Sequence, residues 1–300
     1  MLREAKGFAE FISVERGIML FMISVAATFL MAETLAWSTA LYLGVIVFCT
    51  WSAVDAMNNV CDVDLDALSD PSRAEFTKKL GKLGLFTIVG FAALALALGA
   101  ATLILYVVLF VALGIVLGVL YSVPPFRLRK TAYKPVVNFT VGALPVLIVA
   151  AFFNLFSINV VSLVLLIGLT TSVNSLWEDL ADYASDFNSG SRTVPIIFGF
   201  HKGLLLTIIF GYAMIPSMVF VGLLFQLGWV YYASLLGLAA FVSLRIVQKR
   251  VTLFKHDRKD PTKLHKMGGI LARDFVITAI VFTFAGKCAP DHDRRDDLEA

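Results

Sequence analysis

Charged residues and cysteine are both scarce in this chain of 300 residues. Lys, Arg, Asp and Glu make up 16% of it, whereas about a quarter of a soluble domain is charged. Hydrophobic residues make up 59% and lie in long, repeated runs, which excludes a soluble protein with a single membrane anchor. The three cysteines, Cys49, Cys61 and Cys288, form no CxxC pair, and the four histidines are scattered. We therefore expect three free thiols, without a disulfide framework or a zinc site.

The hydrophobic runs predict nine membrane-spanning helices, packed as one all-α bundle around a central cavity. We place the spans at residues 17–35, 38–57, 83–99, 103–122, 136–155, 158–176, 203–225, 229–248 and 271–288. The first run is too long for a cleavable signal and no small-residue cleavage site follows it, so it is interpreted as a transmembrane helix. Residues 1–289 are predicted to form a single transmembrane domain, and residues 290–300 a mobile polar tail.

The basic residues predict the orientation of the bundle. With a cytoplasmic N-terminus, the charged loops 58–82, 123–135, 177–202 and 249–270 all lie on the cytoplasmic side. The 25 Lys and Arg residues fall there or at the adjoining helix ends, except for Lys287, Arg294 and Arg295 near the C-terminus. Because short cytoplasmic loops collect basic residues, this distribution favours nine spans and an integral membrane protein whose functional loops are cytoplasmic.

Two acidic clusters follow the second and sixth predicted spans. Their members are Asn58, Asp62 and Asp66 in the first cluster, and Asp179, Asp182 and Asp186 in the second. Spacings of three and four place each set on one helix face, where like charges repel unless a cation lies between them. Two such faces opposite each other could bind Mg²⁺, which in turn binds phosphate oxygens. In so hydrophobic a chain, the pattern indicates an enzyme that acts on a lipid diphosphate.

The position of the clusters also suggests two related helical halves, since each follows the second helix of its half. If only one acidic cluster were present, its carboxylates could equally well be explained as a solvated helix end at the membrane surface. Two clusters of matching spacing on one side of the membrane favour a shared site.

Basic and polar residues between the clusters allow two interpretations. The segment 121–130 reads Y-S-V-P-P-F-R-L-R-K, and its prolines end the fourth span. The basic residues of this segment and Arg192 are either positive-inside anchors or ligands of diphosphate oxygens. For Lys78, Lys79 and Lys82, simple anchoring at the membrane surface is favoured. Asn138 and Asn174 lie within apolar spans, where a polar residue faces the bundle interior and either lines a pocket or bonds a neighbouring helix.

The first cluster and the basic segment resemble motifs of the UbiA-type intramembrane prenyltransferases. The cluster is similar to that family's N-D-x-x-D-x-x-x-D, with Asn59 in place of the first aspartate. The matching residues are Asn58, Asp62 and Asp66. The segment 121–130 is similar to the family's Y-S-x-P-P-x-R-L-K, with Arg129 where lysine is usual.

The second cluster extends the resemblance over most of the chain. It is similar to the family's D-x-x-D-x-x-x-D, and the matching residues are Asp179, Asp182 and Asp186. Residues 190–199 are similar to the continuation G-x-R/K-T-x-P-x-x-x-G. Nine spans and acidic loops on one side also agree with the family.

The resemblance implies that a prenyl chain is transferred from an isoprenoid diphosphate to a small hydrophobic or lipid acceptor in the membrane, with Mg²⁺ as cofactor and no nucleic-acid partner. It implies catalytic carboxylates at Asp62, Asp66, Asp182 and Asp186. The implied metal ligands are Asp62, Asp66, Asp179, Asp182 and Asp186. The implied substrate-binding residues are Asn58, Tyr121, Arg127, Lys130, Asn138 and Arg192.

Two departures from the family pattern leave the acceptor open. Asn59 removes one possible ligand charge, and residues 69–76 read S-D-P-S-R-A-E-F, a degraded form of the usual Arg-Pro-rich run. Candidate acceptors are an aromatic ring, a haem vinyl group and a glycerol-phosphate lipid. Residues 11–16 and the absence of haem-type signatures favour a lipid or quinone-type enzyme.

Two other classes remain as alternatives. A transporter would place charged residues near helix breaks at the middle of the bilayer, whereas the acidic clusters here lie at span ends. A CDP-alcohol phosphotransferase would carry its glycine, arginine and aspartate signature on a single segment, which this sequence lacks.

Overall fold

The computed structural model describes residues 2–32, 37–69 and 71–255, and this part of the chain is helical with no β-strand. Its α-helices, in chain order, are α1 (Leu2–Phe11), α2 (Val14–Met31), α3 (Trp37–Cys61), α4 (Val63–Ser69), α5 (Pro71–Leu80), α6 (Lys82–Ala101), α7 (Leu105–Ser122), α8 (Lys134–Phe153), α9 (Ile158–Ala181), α10 (Tyr183–Asn188), α11 (Val194–Phe198), α12 (Phe200–Leu224) and α13 (Trp229–Lys255). A single 3-10 turn, Leu128–Lys130, lies between α7 and α8.

The described helices confirm an all-α membrane fold. Seven of them are long and apolar enough to cross a bilayer, namely α2, α3, α6, α7, α8, α9 and α12, and α13 begins with a shorter apolar stretch, Trp229–Phe241. These eight helices correspond to the first eight predicted spans. The ninth predicted span, 271–288, and the tail from residue 290 lie outside the described residues, so the count of nine is not confirmed.

The centre of the bundle is formed by α2, α3, α8 and α9. Helix α2 packs against both α3 and α8, and α8 packs along the length of α9. By contrast α6 and α7 lie at the outside, where large apolar side chains such as Leu85, Phe86 and Leu105 are exposed. Exposed apolar surface of this kind is expected where lipid rather than water surrounds a helix.

Helices α8 and α9 approach closely because α8 carries a glycine at the contact. A Cβ atom at Gly142 would overlap the hydroxyl group of Thr171. That hydroxyl donates a hydrogen bond of 2.8 Å to the carbonyl oxygen of Asn138, and Ser172 donates one of 2.7 Å to the carbonyl oxygen of Pro135. Small and hydroxyl-bearing residues therefore fix the two helices that form one wall of the cavity described below.

Each membrane helix that ends in an acidic cluster continues into a short helix. After α3 the chain turns at Asp62 and forms α4, and after α9 it turns at Asp182 and forms α10. Helices α4 and α10 contact each other. The two clusters thus meet at the same end of the bundle, although four membrane helices separate them along the chain.

Two of the predicted free thiols fall in this framework. Cys49 is buried in α3 and Cys61 ends that helix, and neither forms a disulfide. Cys288 lies outside the described residues.

Candidate functional site

Asp62 lies between two arginines of the basic segment. Its side chain is fully buried, and Oδ1 accepts a hydrogen bond of 2.6 Å from Nη2 of Arg127. Oδ2 is paired with Nη1 of Arg129. Nη2 of Arg127 also donates to the carbonyl oxygen of Cys61 at 3.0 Å. Arg127 and Arg129 are therefore part of the site and not simple membrane anchors.

Arg129 connects the two acidic clusters. Its Nη1 donates to Oδ1 of Asn58 at 3.2 Å, and the same amide oxygen accepts a bond of 3.3 Å from Ser122. Burial lowers the pKa of the Arg129 guanidinium, and the nearby carboxylates of Asp182 and Asp186 oppose that change. One half-buried cation thus interacts with both clusters.

Lys130 and Arg192, which come from separate loops, are joined through the backbone. The N–H group of Arg192 donates a hydrogen bond of 2.7 Å to the carbonyl oxygen of Lys130. Burial lowers the pKa of Lys130, and the neighbouring charges of Arg127 and Arg129 lower it further. The side chain of Arg192 is exposed. Both residues lie at the site, and the exposed guanidinium is available to an incoming anion.

The second cluster contains a buried ion pair that the sequence did not reveal. Asp179 is fully buried, and its Oδ1 accepts a bond of 2.6 Å from Nζ of Lys134, at the start of α8. The same ammonium lies 3.8 Å from Oε2 of Glu178. A buried lysine at the edge of an apolar run is a sequence signal for such a pair, but the sequence does not identify its partner.

Asp182 and Asp186 face a different environment. Asp182 is half-buried at the turn between α9 and α10. Oδ2 of Asp186 accepts a bond of 3.1 Å from the hydroxyl group of Thr193, in the segment that resembled the family's downstream motif. Burial raises the pKa of Asp186, while the charge of Lys134 opposes the increase.

The remaining acidic residues of the first cluster differ in exposure. Asp66 is buried and pairs with Arg73, with 3.0 Å between Oδ1 and Nη2. The side chain of Asp64 is 91% exposed and lies 3.5 Å from Nζ of Lys78. Asp64 therefore does not belong to the site.

The charge balance of the clusters differs from the sequence-based expectation. Within the described ranges, no three acidic, histidine or cysteine side chains converge on a common point. Asp62, Asp66 and Asp179 are instead neutralised by arginine and lysine. Their oxygen atoms are nevertheless the ligand type that Mg²⁺ prefers, and two carboxylate clusters meet at one end of the bundle. The residues present therefore fit a divalent cation, and their assignment as metal ligands stays a prediction.

A cavity lies between α2, α3, α7, α8 and α9. Its volume is about 60 Å³. The polar residues that line it are Arg16, Asp55, Asn58, Tyr121, Asn138, Thr171, Asn174 and Glu178. Trp51, Val54 and Met19 are among its apolar lining residues. Polar groups and apolar walls together are typical of a small-molecule site.

The two asparagines predicted inside the bundle both line this cavity. Nδ2 of Asn138 also donates a bond of 2.9 Å to the hydroxyl group of Ser175, so it both lines the cavity and joins α8 to α9. Nδ2 of Asn174 donates a bond of 3.2 Å to Oε1 of Glu178.

The cavity also contains charged residues that sequence reasoning missed. Nη2 of Arg16, near the start of α2, lies 2.8 Å from Oε1 of Glu178. Asp55 was overlooked, although an acid within an apolar run is a signal of function. Asp55 is the one charged residue of α3, and that isolation could have identified it, whereas Arg16 follows Glu15 in the first turn of α2.

The family of the chain follows from its sequence profile. The profile of the UbiA prenyltransferase family matches residues 19–266. The chain therefore belongs to this family, as its motifs suggested, and is a membrane-embedded prenyltransferase. The transporter and CDP-alcohol phosphotransferase alternatives are not supported. No curated protein sequence matches the chain.

Solved structures share the fold at low sequence identity. A structure described for a digeranylgeranylglyceryl phosphate synthase is 19% identical, with a TM-score of 0.63, over 94% of this chain and 98% of that one. A UbiA homologue from Archaeoglobus fulgidus bound to DMAPP and Mg²⁺ is 14% identical, with a TM-score of 0.67, over 92% and 99% of the two chains. The apo structure of a UbiA homologue from Aeropyrum pernix K1 is 16% identical, with a TM-score of 0.65, over 89% and 98%.

Proposed function

We propose that this enzyme transfers a prenyl chain from an isoprenoid diphosphate to a lipid glycerol phosphate or a quinone-type aromatic acceptor, in a Mg²⁺-dependent reaction. The observation that carries the proposal is the meeting of α4 and α10 at one end of a membrane bundle. Two carboxylate clusters are thereby placed on either side of a basic segment, beside a polar cavity in the bundle. The structures of UbiA homologues with DMAPP or GPP and Mg²⁺ support the choice of donor and metal.

The carboxylates would hold the metal and the basic segment would hold the diphosphate. Asp62, Asp66, Asp182 and Asp186 would provide the metal ligands, with Asp179 behind them in its pair with Lys134. When bound, Mg²⁺ neutralises the negative charge that develops on the leaving diphosphate. Arg127, Lys130 and Arg192 would bind oxygen atoms that the metal leaves free, because guanidinium and ammonium groups form short, charge-assisted bonds with phosphate.

The cavity would receive the reacting carbon of the prenyl chain. It lies within the bundle, where apolar side chains such as Trp51 and Val54 exclude bulk water. Exclusion of water protects an electron-poor allylic carbon from hydrolysis and strengthens nearby electrostatic interactions. Asn58 and Tyr121 line the cavity close to the basic segment, which supports their role in substrate binding.

The orientation of the site is inferred from charge. The end of the bundle that carries both clusters also carries Arg73, Lys78, Arg127, Lys130 and Arg192. Because basic residues collect on the cytoplasmic side, we place the active site there.

The test is transfer by the purified, full-length protein. Geranyl diphosphate and Mg²⁺ are incubated with a panel of acceptors, and diphosphate release and product masses are measured. We expect release and a prenylated product, both dependent on Mg²⁺. Asp182→Ala should abolish both, whereas Asp64→Ala, which changes an exposed acid in the first acidic segment, should change neither. Release that persists in Asp182→Ala would contradict the proposed site.

A further inference from the structure

One buried carboxylate lines the cavity without a hydrogen bond or a close ion pair in the described part of the chain. Asp55 lies on α3, three residues before Asn58, is 6% exposed and lines the cavity. Within residues 2–32, 37–69 and 71–255, no hydrogen bond or ion pair within 4 Å joins its side chain to another residue. Buried polar groups are normally hydrogen-bonded, and a buried carboxylate without a partner is costly. A ligand that donates a proton to this carboxylate would remove that cost.

A second unused polar group lies one turn away. Trp51 lines the same cavity, and its buried Nε1 has no hydrogen-bond partner in the described part of the chain. Because they are four residues apart, Trp51 and Asp55 share one face of α3. An indole N–H group only donates, and an ionised carboxylate only accepts. A hydroxyl group is complementary to both, since it carries one proton and two lone pairs.

The charges of the cavity indicate that this hydroxyl group belongs to a neutral part of the ligand. Among the described residues that line the cavity, Arg16 is the one cation, and Glu178 pairs with it at 2.8 Å. Asp55 adds a negative charge that Arg16, Arg73 and Arg129 attract from a distance, although none of them forms an ion pair with it. A carboxylate or phosphate beside Asp55 would be repelled, because like charges close together in a poorly solvated site interact strongly.

On the basis of the proposed prenyl transfer, we propose that the acceptor is a neutral alcohol or phenol, which excludes the anionic glycerol phosphate. Asp55 binds the hydroxyl group of this acceptor and removes its proton. As the acceptor oxygen forms its bond to the first carbon of the prenyl chain, its proton passes to a carboxylate oxygen of Asp55. The bond between that carbon and the diphosphate breaks, and its electron pair stays on the diphosphate oxygen. The products are a prenyl ether, free diphosphate and protonated Asp55, which returns its proton to solvent.

The proposal is tested with full-length protein, Mg²⁺ and geranyl diphosphate. The acceptors are hexadecylglycerol and naphthohydroquinone, which are neutral, and dihydroxynaphthoate, which adds a carboxylate to the second compound. The variants are Asp55→Asn, which keeps the shape but takes up no proton, and Asp64→Asn as the matched control on the surface. A thio-bridged, unreactive analogue of geranyl diphosphate reports binding at the diphosphate site by calorimetry.

We expect the wild type to prenylate a neutral acceptor in preference to the acid. Asp55→Asn should lower kcat for that acceptor by about 100-fold or more, the usual effect of losing a general base. The KM of the variant should change far less. Its affinity for the analogue should stay within about threefold of the wild type, since the substitution leaves the residues that bind the diphosphate unchanged. Asp64→Asn should match the wild type in every measurement.

The results separate this inference from the proposed function. A wild type that binds the analogue but prenylates no neutral acceptor would overturn the inference. Unchanged kcat in Asp55→Asn, or loss of analogue binding in that variant, would also overturn it. A wild type that binds no analogue in the presence of Mg²⁺ would instead overturn the proposed function.

Discussion

Nδ2 of Asn59 donates a hydrogen bond of 2.8 Å to the carbonyl oxygen of Phe11, the last residue of α1. Asn59 stands where the family motif has an aspartate, and its amide is buried. The departure in the motif therefore has a structural reason: the position fixes the N-terminal helix to α3. An aspartate could not make this bond, because an ionised carboxylate has no proton to donate to a carbonyl oxygen.

Asn59→Asp should consequently destabilise the protein instead of strengthening a metal site. Two acceptors would face each other in a buried position, and we expect a loss of about 1–3 kcal/mol, typical of an unsatisfied buried group. Thermal unfolding in detergent measures the loss. Asn188→Asp makes the same chemical change at an exposed position and should leave the unfolding temperature nearly unchanged. An Asn59→Asp protein as stable as the wild type would show that the bond to Phe11 is unimportant.

Asp62→Ala should reduce both stability and transfer. It removes a buried carboxylate from between Arg127 and Arg129, and breaking a buried ion pair in this way costs about 3–5 kcal/mol. Unfolding temperature and prenyl transfer are measured on the same sample. Because of these ion pairs, we expect the loss of transfer to be accompanied by a loss of stability. Asp64→Ala is the control, and a variant of Asp62 with wild-type transfer rates would contradict the metal assignment.

The pair of Lys134 and Asp179 should show strong coupling. Lys134→Met or Asp179→Asn alone leaves a buried charge without its partner, at a cost of about 3–5 kcal/mol. The double variant removes both charges and should recover most of the lost stability. A double-mutant cycle, followed by chemical or thermal unfolding, measures the coupling. Additive losses would mean that the two side chains do not depend on each other.

Removal of the metal should stop catalysis but not unfold the protein. In this structure arginine and lysine side chains neutralise Asp62, Asp66 and Asp179, so the fold does not need a cation to offset their repulsion. We expect EDTA to abolish diphosphate release and added Mg²⁺ to restore it. The unfolding temperature without substrate should change by no more than a degree or so. A large decrease with EDTA would show that the metal is needed for folding.

Two glycines offer a matched test of helix packing. A Cβ atom at Gly142 would overlap the Thr171 hydroxyl group, whereas nothing lies within 4 Å of a Cβ atom at Gly90. Gly142→Ala should lower the free energy of unfolding by about 1–3 kcal/mol through overpacking. Gly90→Ala should be neutral or should stabilise its helix by up to about 1 kcal/mol. Equal effects of the two substitutions would contradict the close contact of α8 and α9.

Much of the fold could be predicted because its main signal is local. A bilayer requires long apolar helices whose backbone groups are satisfied internally. Hydrophobic runs alone therefore indicated the seven membrane-length helices of the described chain and the shorter apolar stretch of α13. At the end of the second span the helix continues past the apolar run. The second span was expected to end at residue 57 and α3 ends at Cys61, because backbone hydrogen bonds extend into the polar, acidic segment.

The site was predicted less completely because its electrostatics depend on pairs of distant residues. The spacing of Asp62, Asp66, Asp182 and Asp186 predicted two acidic faces, and the contact of α4 with α10 brings the two segments to one end of the bundle. It did not indicate that Arg127 and Arg129 lie between them, or that Lys134 pairs with Asp179. Partners that are 65 and 45 residues apart meet only through the rotation and packing of whole helices.

The amino-acid sequence by itself determined the membrane setting, the order of the helices and the location of the acidic and basic motifs, since each depends on runs or spacings within one segment. Tertiary structure alone decided which charges neutralise one another and that Asp55 lines the cavity without a hydrogen bond or a close ion pair in the described part of the chain. Hydropathy specifies that a helix is buried in the membrane, but the direction of each polar side chain is set by the close packing of its neighbours.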